Sequence, residues 1–251
     1  MNGVHLLLDL GNTRLKWVAA AGPRQWLEQG EVPMTALDGL AHAWQTLPPP
    51  EAIHGCCVGD ETRRAALDAL CLRLWQRPAV WLAVTRSALG VTNRYRHLEQ
   101  QGPDRWAAVL GAHALHPGHA LVVAGAGTAL TVDSLAADGT FLGGMILPGY
   151  RMMKAALAAG TARLPLAEGH FHHFPTSTDD AIETGVLTAL AASITTAFDR
   201  LVARGEEPLV LLSGGDAPRL AERLDLPVSL TPNLVLHGLA ALAYAPGGSA
   251  P

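Results

Sequence analysis

Cysteine is scarce in this chain. Three residues in 251, the adjacent Cys56 and Cys57 and the single Cys71, make no disulfide framework. The adjacent pair has neither zinc nor redox spacing, so buried thiols in a reducing compartment are expected, which places the chain in the cytoplasm. Charge is also thin and nearly balanced, with 18 Lys and Arg against 22 Asp and Glu. No run of like charge occurs, and nothing points to a nucleic-acid or membrane-surface partner. Continuous apolar runs, such as Ala120 to Ala124, are far short of a bilayer span. No basic segment followed by an apolar core and cleavage site opens the chain, so no secretory leader is expected. Low-complexity tracts are absent as well. What is plentiful is apolar side chain: 49% of residues, enough for a sizeable core. The length fits one large domain or two lobes of about 100–150 residues each.

The stretch HLLLDLGNTRLKWVAAAG, His5 to Gly22, sets the organisation. Val4 to Leu10 reads as a buried strand, Gly11 to Arg14 as a hairpin link, Leu15 to Ala20 as a second strand and Gln25 to Val32 as a third. A helix is expected over Ala36 to Leu47, ended by Pro48, Pro49 and Pro50. Ala52 to Val58 reads as a strand, Glu61 to Gln76 as an amphipathic helix with Ala65, Leu67, Leu70 and Leu74 inward, and Ala79 to Val84 as another strand. Asp104 to Leu115 is helical. The pattern then restarts. An apolar strand from Ala120 reaches the glycine turn Gly125 to Thr128, and Ala129 to Leu135 and Thr140 to Leu147 complete a second meander. Helices follow over Pro148 to Ala159 and Asp179 to Ala203. A strand over Pro208 to Leu212 leads into Ser213-Gly214-Gly215, with helices at Ala217 to Leu224 and Pro232 to Ala243. The tail from Pro246 to Pro251 is expected to be disordered. In the long helix, Ile182, Val186, Leu190 and Ile194 form a stripe that suits a core or an interface equally.

Two halves that each open with strand, small-residue turn, strand, strand predict a duplicated α/β unit, divided as residues 1–115 and 116–251. Gly11 and Gly127 let backbone approach a ligand closely. Amides, Asn and Thr groups in such turns hold phosphate oxygens. Asp9 is anionic and cannot bind phosphate itself; it can act through a magnesium ion and its waters. The first turn therefore reads as a grip for a nucleotide triphosphate.

Plainer readings exist for each feature. Gly, Asn and Asp dominate turns in any case. The GAGTAL stretch, Gly125 to Leu130, is no dinucleotide fingerprint, because its third glycine position is Leu130 and a strand follows. No GxxxxGK[ST] loop occurs. His170, His172 and His173 near Asp179 and Asp180 match no zinc spacing. Ser213-Gly214-Gly215 could be a helix entry alone, and Asp104-Arg105 an exposed ion pair at a helix start.

In order along the chain, however, these segments resemble the type III pantothenate kinases, the family that includes the Bvg accessory factor proteins. DLGNTRLKW is similar to the family's first phosphate motif, D-x-G-N-T/S-x-x-K. NRYRHLEQQGPDRWAAVLGA, Asn93 to Ala112, resembles its Y…G-x-D-R-x-x-x-x-x-G-A segment, and VVAGAGTALTVD, Val122 to Asp133, its V-V-D-x-G-T-A-x-T-x-D. GGMILPGYRMMKAALAAGTARLP, Gly143 to Pro165, resembles the G-G-x-I-x-P-G segment with its following T-A-x-L-P. Glu183-Thr184-Gly185 and Ser213-Gly214-Gly215-Asp216 fit the later signatures.

The resemblance implies the acetate and sugar kinase/actin superfamily fold: two ribonuclease-H-like lobes with ATP in the cleft. It implies transfer of phosphate from ATP to the primary hydroxyl of pantothenate, giving 4′-phosphopantothenate for coenzyme A synthesis, by a homodimer. A primary alcohol needs a base, and the resemblance assigns that role to Asp104. It places the nucleotide on Asp9, Leu10, Gly11, Asn12, Thr13, Arg14, Leu15, Lys16 and Thr128, with Gly214 and Gly215 against the adenosine. Mg2+ is held by Asp9 through water. Pantothenate falls on Tyr95, Gly102, Pro103, Asp104, Arg105 and Thr184; a planar guanidinium suits its carboxylate.

One position departs. Where the family carries an aspartate associated with a monovalent cation, K+ or NH4+, this chain has Gly125, which offers only a backbone carbonyl. A weaker dependence on that cation is expected. Two rivals share the fold. A kinase for another small alcohol or acid would not be expected to carry Tyr95 with Gly102 to Arg105. A regulatory relative without turnover would be expected to lose Asp9 or Asp104, and both are present.

Overall fold

Leu6, Leu7, Leu8 and Leu10 are all at most 1% exposed, as in a strand covered on both faces. They belong to β1 (His5–Leu10), the middle strand of a five-stranded sheet in the computed structural model, which describes residues 3–36, 39–58, 61–160 and 168–245. β2 (Arg14–Gly22) and β3 (Gln25–Pro33) fold back antiparallel on one side. β4 (Ala52–Cys57) and β5 (Val80–Trp81) add in parallel on the other, giving the order β3-β2-β1-β4-β5. Parallel neighbours require crossovers. α1 (Leu40–Trp44) lies in the first of these and α2 (Glu61–Trp75) in the second. A small hairpin of β6 (Ser87–Ala88) and β7 (Val91–Asn93) precedes α3 (Pro103–Leu115).

The arrangement then repeats. β8 (Leu121–Ala126), β9 (Ala129–Leu135) and β10 (Thr140–Pro148) form an antiparallel meander. β11 (Leu209–Ser213) and β12 (Val228–Leu230) add in parallel beside β8. The order β10-β9-β8-β11-β12 is that of the first sheet over again. α4 (Tyr150–Gly160) and α5 (Thr178–Val202) connect β10 to β11, and α6 (Ala217–Ala221) connects β11 to β12. α7 (Leu234–Ala243) closes the chain. The duplicated α/β meander read from the sequence is thus present.

Among the described residues the chain forms two compact units, 3–117 with 234–245, and 118–233. The division differs from the expected one in a single element: α7 belongs to the first unit, not the second. The reason is a glycine crossing. A Cβ on Gly238 would sit 1.9 Å from the Ala107 carbonyl oxygen, and one on Gly111 would sit 2.4 Å from that of Leu234. Only two glycines allow α7 to lie this close on α3. The first core gathers Leu8, Leu10, Leu15, Trp17, Trp44 and Ile53; the second gathers Val122, Leu130, Val132, Leu190, Ile194 and Leu212.

Other departures are local. α1 is only five residues long, and 37–38, the beginning of the expected helix, lie outside the described residues. On α2 the buried face is Leu67, Leu70 and Cys71, with Leu74 partly buried; Ala65 is exposed, on the opposite side of the helix from that face. The strand expected over Ala79 to Val84 is two residues, following Pro78, and the helix expected to Leu224 stops at Ala221. β6, β7 and β12 are two- or three-residue strands that carry no alternation long enough to read. α5 is, by length and composition, apolar enough to cross a membrane, which the short continuous apolar runs did not foretell; half of that stretch is buried inside the protein. Its stripe of Ile182, Val186, Leu190 and Ile194 lies in the second core. The TARLP motif, over 161–165, and the tail from 246 lie outside the described residues.

Candidate active site

The first phosphate turn follows from the end of β1. Leu10 pairs with Leu15 across the hairpin and both side chains are buried, so the four residues Gly11 to Arg14 are forced out of the core. The Gly11 amide donates to the Arg14 carbonyl at 3.1 Å and closes the loop. A Cβ on Gly11 would lie 3.3 Å from that same oxygen, a tight fit. Asn12, Thr13 and Arg14 are exposed. Two contacts steady them: the Met34 amide donates to the Thr13 carbonyl (3.1 Å), and Arg63 of α2 donates to the Asn12 carbonyl (3.3 Å). Arg14 pairs with Glu31 of β3 at 2.5 Å. Leu10 and Leu15 can offer a ligand only their backbone.

Asp9 stands opposite Lys16 on β2 and Cys56 on β4. Burial pushes its carboxyl up to about 7; the nearby Lys16 charge works against this and the Asp104 carboxylate works with it. The same surroundings, burial first, push the Cys56 thiol well up, and burial pushes the Cys71 thiol up to about 12, so both are inert thiols as expected. Asp104 therefore lies near enough to Asp9, within one unit, for its charge to be felt there. A desolvated carboxylate beside a second one gains by meeting a cation. Few protein oxygens, with water and phosphate supplying the rest, is the donor set magnesium takes, so these residues fit the ion. Among the described residues no group of three or more His, Cys, Asp or Glu is placed to hold a metal, and that includes the His170–His173 loop.

Asp104 sits in the first turn of α3, after Gly102 and Pro103. Its Oδ1 accepts from the Arg105 amide at 2.8 Å. A Cβ on Gly102 would fall 2.4 Å from that Oδ1, so Gly102 is needed to make room for the carboxylate. Arg105 is buried at 4% exposure, not the exposed ion-pair member of the plainer reading. It donates to the Tyr95 hydroxyl at 2.8 Å and lies over the Tyr95 ring. The Tyr95 backbone is itself pinned. Its amide donates to Asn93 Oδ1 at 3.0 Å, and Arg86 donates to the carbonyls of Asn93 and Tyr95 at 2.8 and 2.7 Å. Buried Asn93 in turn donates to Gln101 at 2.7 Å. Arg86, Asn93 and Gln101 are supports with no role legible in the sequence, since local proximity in the chain does not show that their side chains turn in toward Tyr95 and one another.

The second unit gathers the other turns. Thr128 is exposed beside Gly127 between β8 and β9. Gly149 presses on this turn: its amide donates to the Thr128 carbonyl (2.9 Å), and a Cβ there would lie 2.3 Å from the Gly127 carbonyl oxygen. Gly214 flanks it from β11, with φ of +100° and space for no Cβ, which would sit 2.2 Å from the Ala126 carbonyl oxygen. Thr128, Gly214 and Gly215 are thus brought together. Thr184 lies on α5, where its Oγ1 exchanges hydrogen bonds with the His172 backbone (3.1 and 3.3 Å). The residue before it, Glu183, was singled out only as part of a signature. It anchors a cluster with buried Tyr150 and Lys154 and with Arg219, which reaches in from the surface. The i, i+4 spacing of Tyr150 and Lys154 was the sole sequence hint of that cluster.

Gly125 pairs with Thr131 in the β8–β9 ladder, and a Cβ there would meet Thr131 Oγ1 at 2.9 Å. Asp133 lies two residues further along β9 on the same face, but it is buried at 1% exposure and packed on Gly144.

Comparison with known proteins agrees with this geometry. The family model described as type III pantothenate kinase matches residues 5–200. The chain is 42% identical over 240 residues to a type III pantothenate kinase from Laribacter hongkongensis, covering 95% of this chain and 98% of that one. It is 43% identical over 242 residues to one from Azoarcus sp., covering 96% and 90%. Among solved structures, a Sinorhizobium meliloti protein described as a 2-dehydro-3-deoxygalactonokinase superposes with a TM-score of 0.60 at 16% identity, covering 96% of this chain and 99% of that one. The fold is that of the acetate and sugar kinase/actin superfamily, with two ribonuclease-H-like units, and the chain belongs to the type III pantothenate kinase family.

Proposed function

We propose that the protein phosphorylates pantothenate with ATP, giving 4′-phosphopantothenate and ADP at the entry to coenzyme A synthesis. The observation that carries this reading is the placing of Asp9 at the phosphate turn and of Asp104 near it, next to buried Arg105 and the Tyr95 hydroxyl to which Arg105 donates. Asp104 takes the proton of the primary hydroxyl as that oxygen bonds to the γ-phosphorus and the bond from phosphorus to the β-bridging oxygen breaks. Amides and side chains of residues 11–16 hold the phosphates. Thr128 assists from the second unit, where Gly214 and Gly215 admit the adenosine. Arg105 receives the carboxylate end of pantothenate, with Tyr95 fixing its plane; Gly102, Pro103 and Thr184 complete the acceptor site. Bound Mg2+, held by Asp9 through water, supplies charge neutralisation on the phosphates.

The same reading takes the enzyme to be a cytoplasmic homodimer, and light scattering at micromolar concentration giving the 26.4 kDa of one chain would contradict the dimer. It also takes a monovalent cation, K+ or NH4+, to matter less here than in relatives with an aspartate at position 125. The deciding experiment incubates the protein with ATP, Mg2+ and pantothenate and seeks phosphopantothenate by mass. Nucleotide binding without that product would favour a kinase for another acceptor or a regulatory protein.

A further inference from the structure

Four side chains from three helices meet in the second unit without a place in the chemistry above. Tyr150 opens α4, Lys154 follows one turn later, Glu183 comes from α5 and Arg219 from α6. Tyr150 is 7%, Lys154 8% and Glu183 3% exposed. The Tyr150 hydroxyl is the hub. It donates to Glu183 (2.7 Å to Oε1) and accepts from Lys154 (3.0 Å) and Arg219 (2.9 Å). Lys154 and Arg219 also reach the carboxylate directly, at 2.7 and 3.1 Å. The Arg219 guanidinium lies 4.3 Å from the Tyr150 ring centre. One carboxylate thus serves two cations around a shared hydroxyl. Arg219 completes the network from the surface, its side chain 47% exposed. Breaking the buried part costs more than its net contribution to stability, because a Lys154 or Glu183 left behind is stranded.

Its position gives the cluster a role. Tyr150 is the residue after Gly149, which presses on the Gly127–Thr128 turn. Arg219 lies five residues after Gly214, which presses on Ala126 from the other side, and the Asp216 amide donates to the Ala126 carbonyl at 3.2 Å. The turn is held between two close glycine approaches, and the cluster ties together the helices that follow each glycine. We infer that Tyr150, Lys154, Glu183 and Arg219 form a brace that positions the Ala126–Thr128, Gly149 and Gly214–Gly215 turns for the nucleotide, making them positioning residues. The inference rests on the proposed use of those turns by ATP. Burial opposes the charged forms of Glu183 and Lys154. Even so, hydrogen bonds between Lys154, Tyr150 and Glu183 hold the Glu183 carboxyl below its ordinary range and Lys154 above its own, so the brace stays ionised near neutrality.

The test is Tyr150→Phe, which keeps the ring and removes only the hub hydroxyl, with Lys154→Met and its conservative counterpart Lys154→Arg beside it. The full chain is titrated with a non-hydrolysable ATP analogue and Mg2+, and KM for ATP, KM for pantothenate and kcat are measured. Expected is a rise of about three- to thirty-fold in analogue Kd and in KM for ATP. The pantothenate KM and saturated kcat should change less than twofold, and Lys154→Arg should recover most of the loss seen in Lys154→Met. Leu190→Ala, a core truncation in the same unit, controls for lost stability and should leave KM for ATP unchanged. If wild-type protein binds the analogue and folded Tyr150→Phe binds it equally well, the brace is refuted alone. If wild-type protein binds no nucleotide, the kinase reading fails with it.

Discussion

Asp9→Asn should make the free protein more stable at alkaline pH while abolishing turnover. The carboxyl has an ordinary value of 3.8 and is pushed up to about 7 in the fold, by burial first and by Asp104 second. Between those values the unfolded chain has released its proton and the folded chain still holds one. Ionisation therefore favours the unfolded state, and stability falls as pH rises from about 4 to about 7, then stays at the reduced level. At about 1.36 kcal/mol per decade, the gap amounts to roughly 4 kcal/mol as an upper bound. Asp9 keeps partial access to solvent, so about half of that, roughly 2 kcal/mol, is the working figure. The amide keeps the shape and carries no charge. For a chain of this size a gain of about 2 kcal/mol raises Tm by about 4–8 °C.

The assay is thermal unfolding of wild type and variant at pH 8 and pH 4.5, at matched ionic strength. At pH 8 the full gain is expected; at pH 4.5 about a quarter of it, because that pH lies only a short way into the window between 3.8 and about 7 over which the difference accumulates. Mg2+ with a non-hydrolysable ATP analogue should stabilise the wild type more than the variant, since only the wild type offers an anion. A variant no more stable than wild type at pH 8, or a gain identical at both pH values, would refute the account of Asp9 as a carboxylate held ready for a cation.

Asp104→Asn should lower kcat by about 10²–10⁴ and leave ATP affinity within twofold, and retention of half the wild-type rate would remove Asp104 from the role of base. Gly238→Ala should destabilise the protein by about 3 kcal/mol, seen as a Tm loss of about 6–12 °C, because its methyl group would overlap the Ala107 carbonyl on the helix that carries Asp104; an unchanged Tm would contradict the crossing. The initial rate should respond weakly to potassium, with tetramethylammonium holding ionic strength. Gly125→Asp should gain a response: a unit-charge pair about 4 Å apart is worth roughly 4 kcal/mol at an effective dielectric of about 20, and a net third of that is about a tenfold change in cation affinity. A steep saturating response already present in the wild type would refute it. Asp133 could not then be the simple substitute, being buried against Gly144.

What was legible in the sequence was local. The DLGNT and AGAGT turns are short-range chemistry, glycine and small polar groups ending a buried strand, and the repeat of strand, turn, strand, strand is visible by eye; both sheets share the resulting order. What stayed hidden depends on partners far apart in the chain. Tyr150 meets Glu183 from 33 positions away and Arg219 from 69, and no periodicity encodes such meetings. Gly238 interrupts an apolar helix at a cost of about 1 kcal/mol against alanine, and only the structure shows what it makes room for. Its partner Ala107 stands over a hundred residues earlier, and so the return of α7 to the first unit could not be read. Gly102 shows how the two kinds of information combine. The sequence marks it as one letter of a motif, while the structure gives its reason, a carboxylate folded back into the space a Cβ would fill. Gly102 thus acts by omission, and a methyl group there would displace the Asp104 carboxylate from the place where its partner Asp9 feels it.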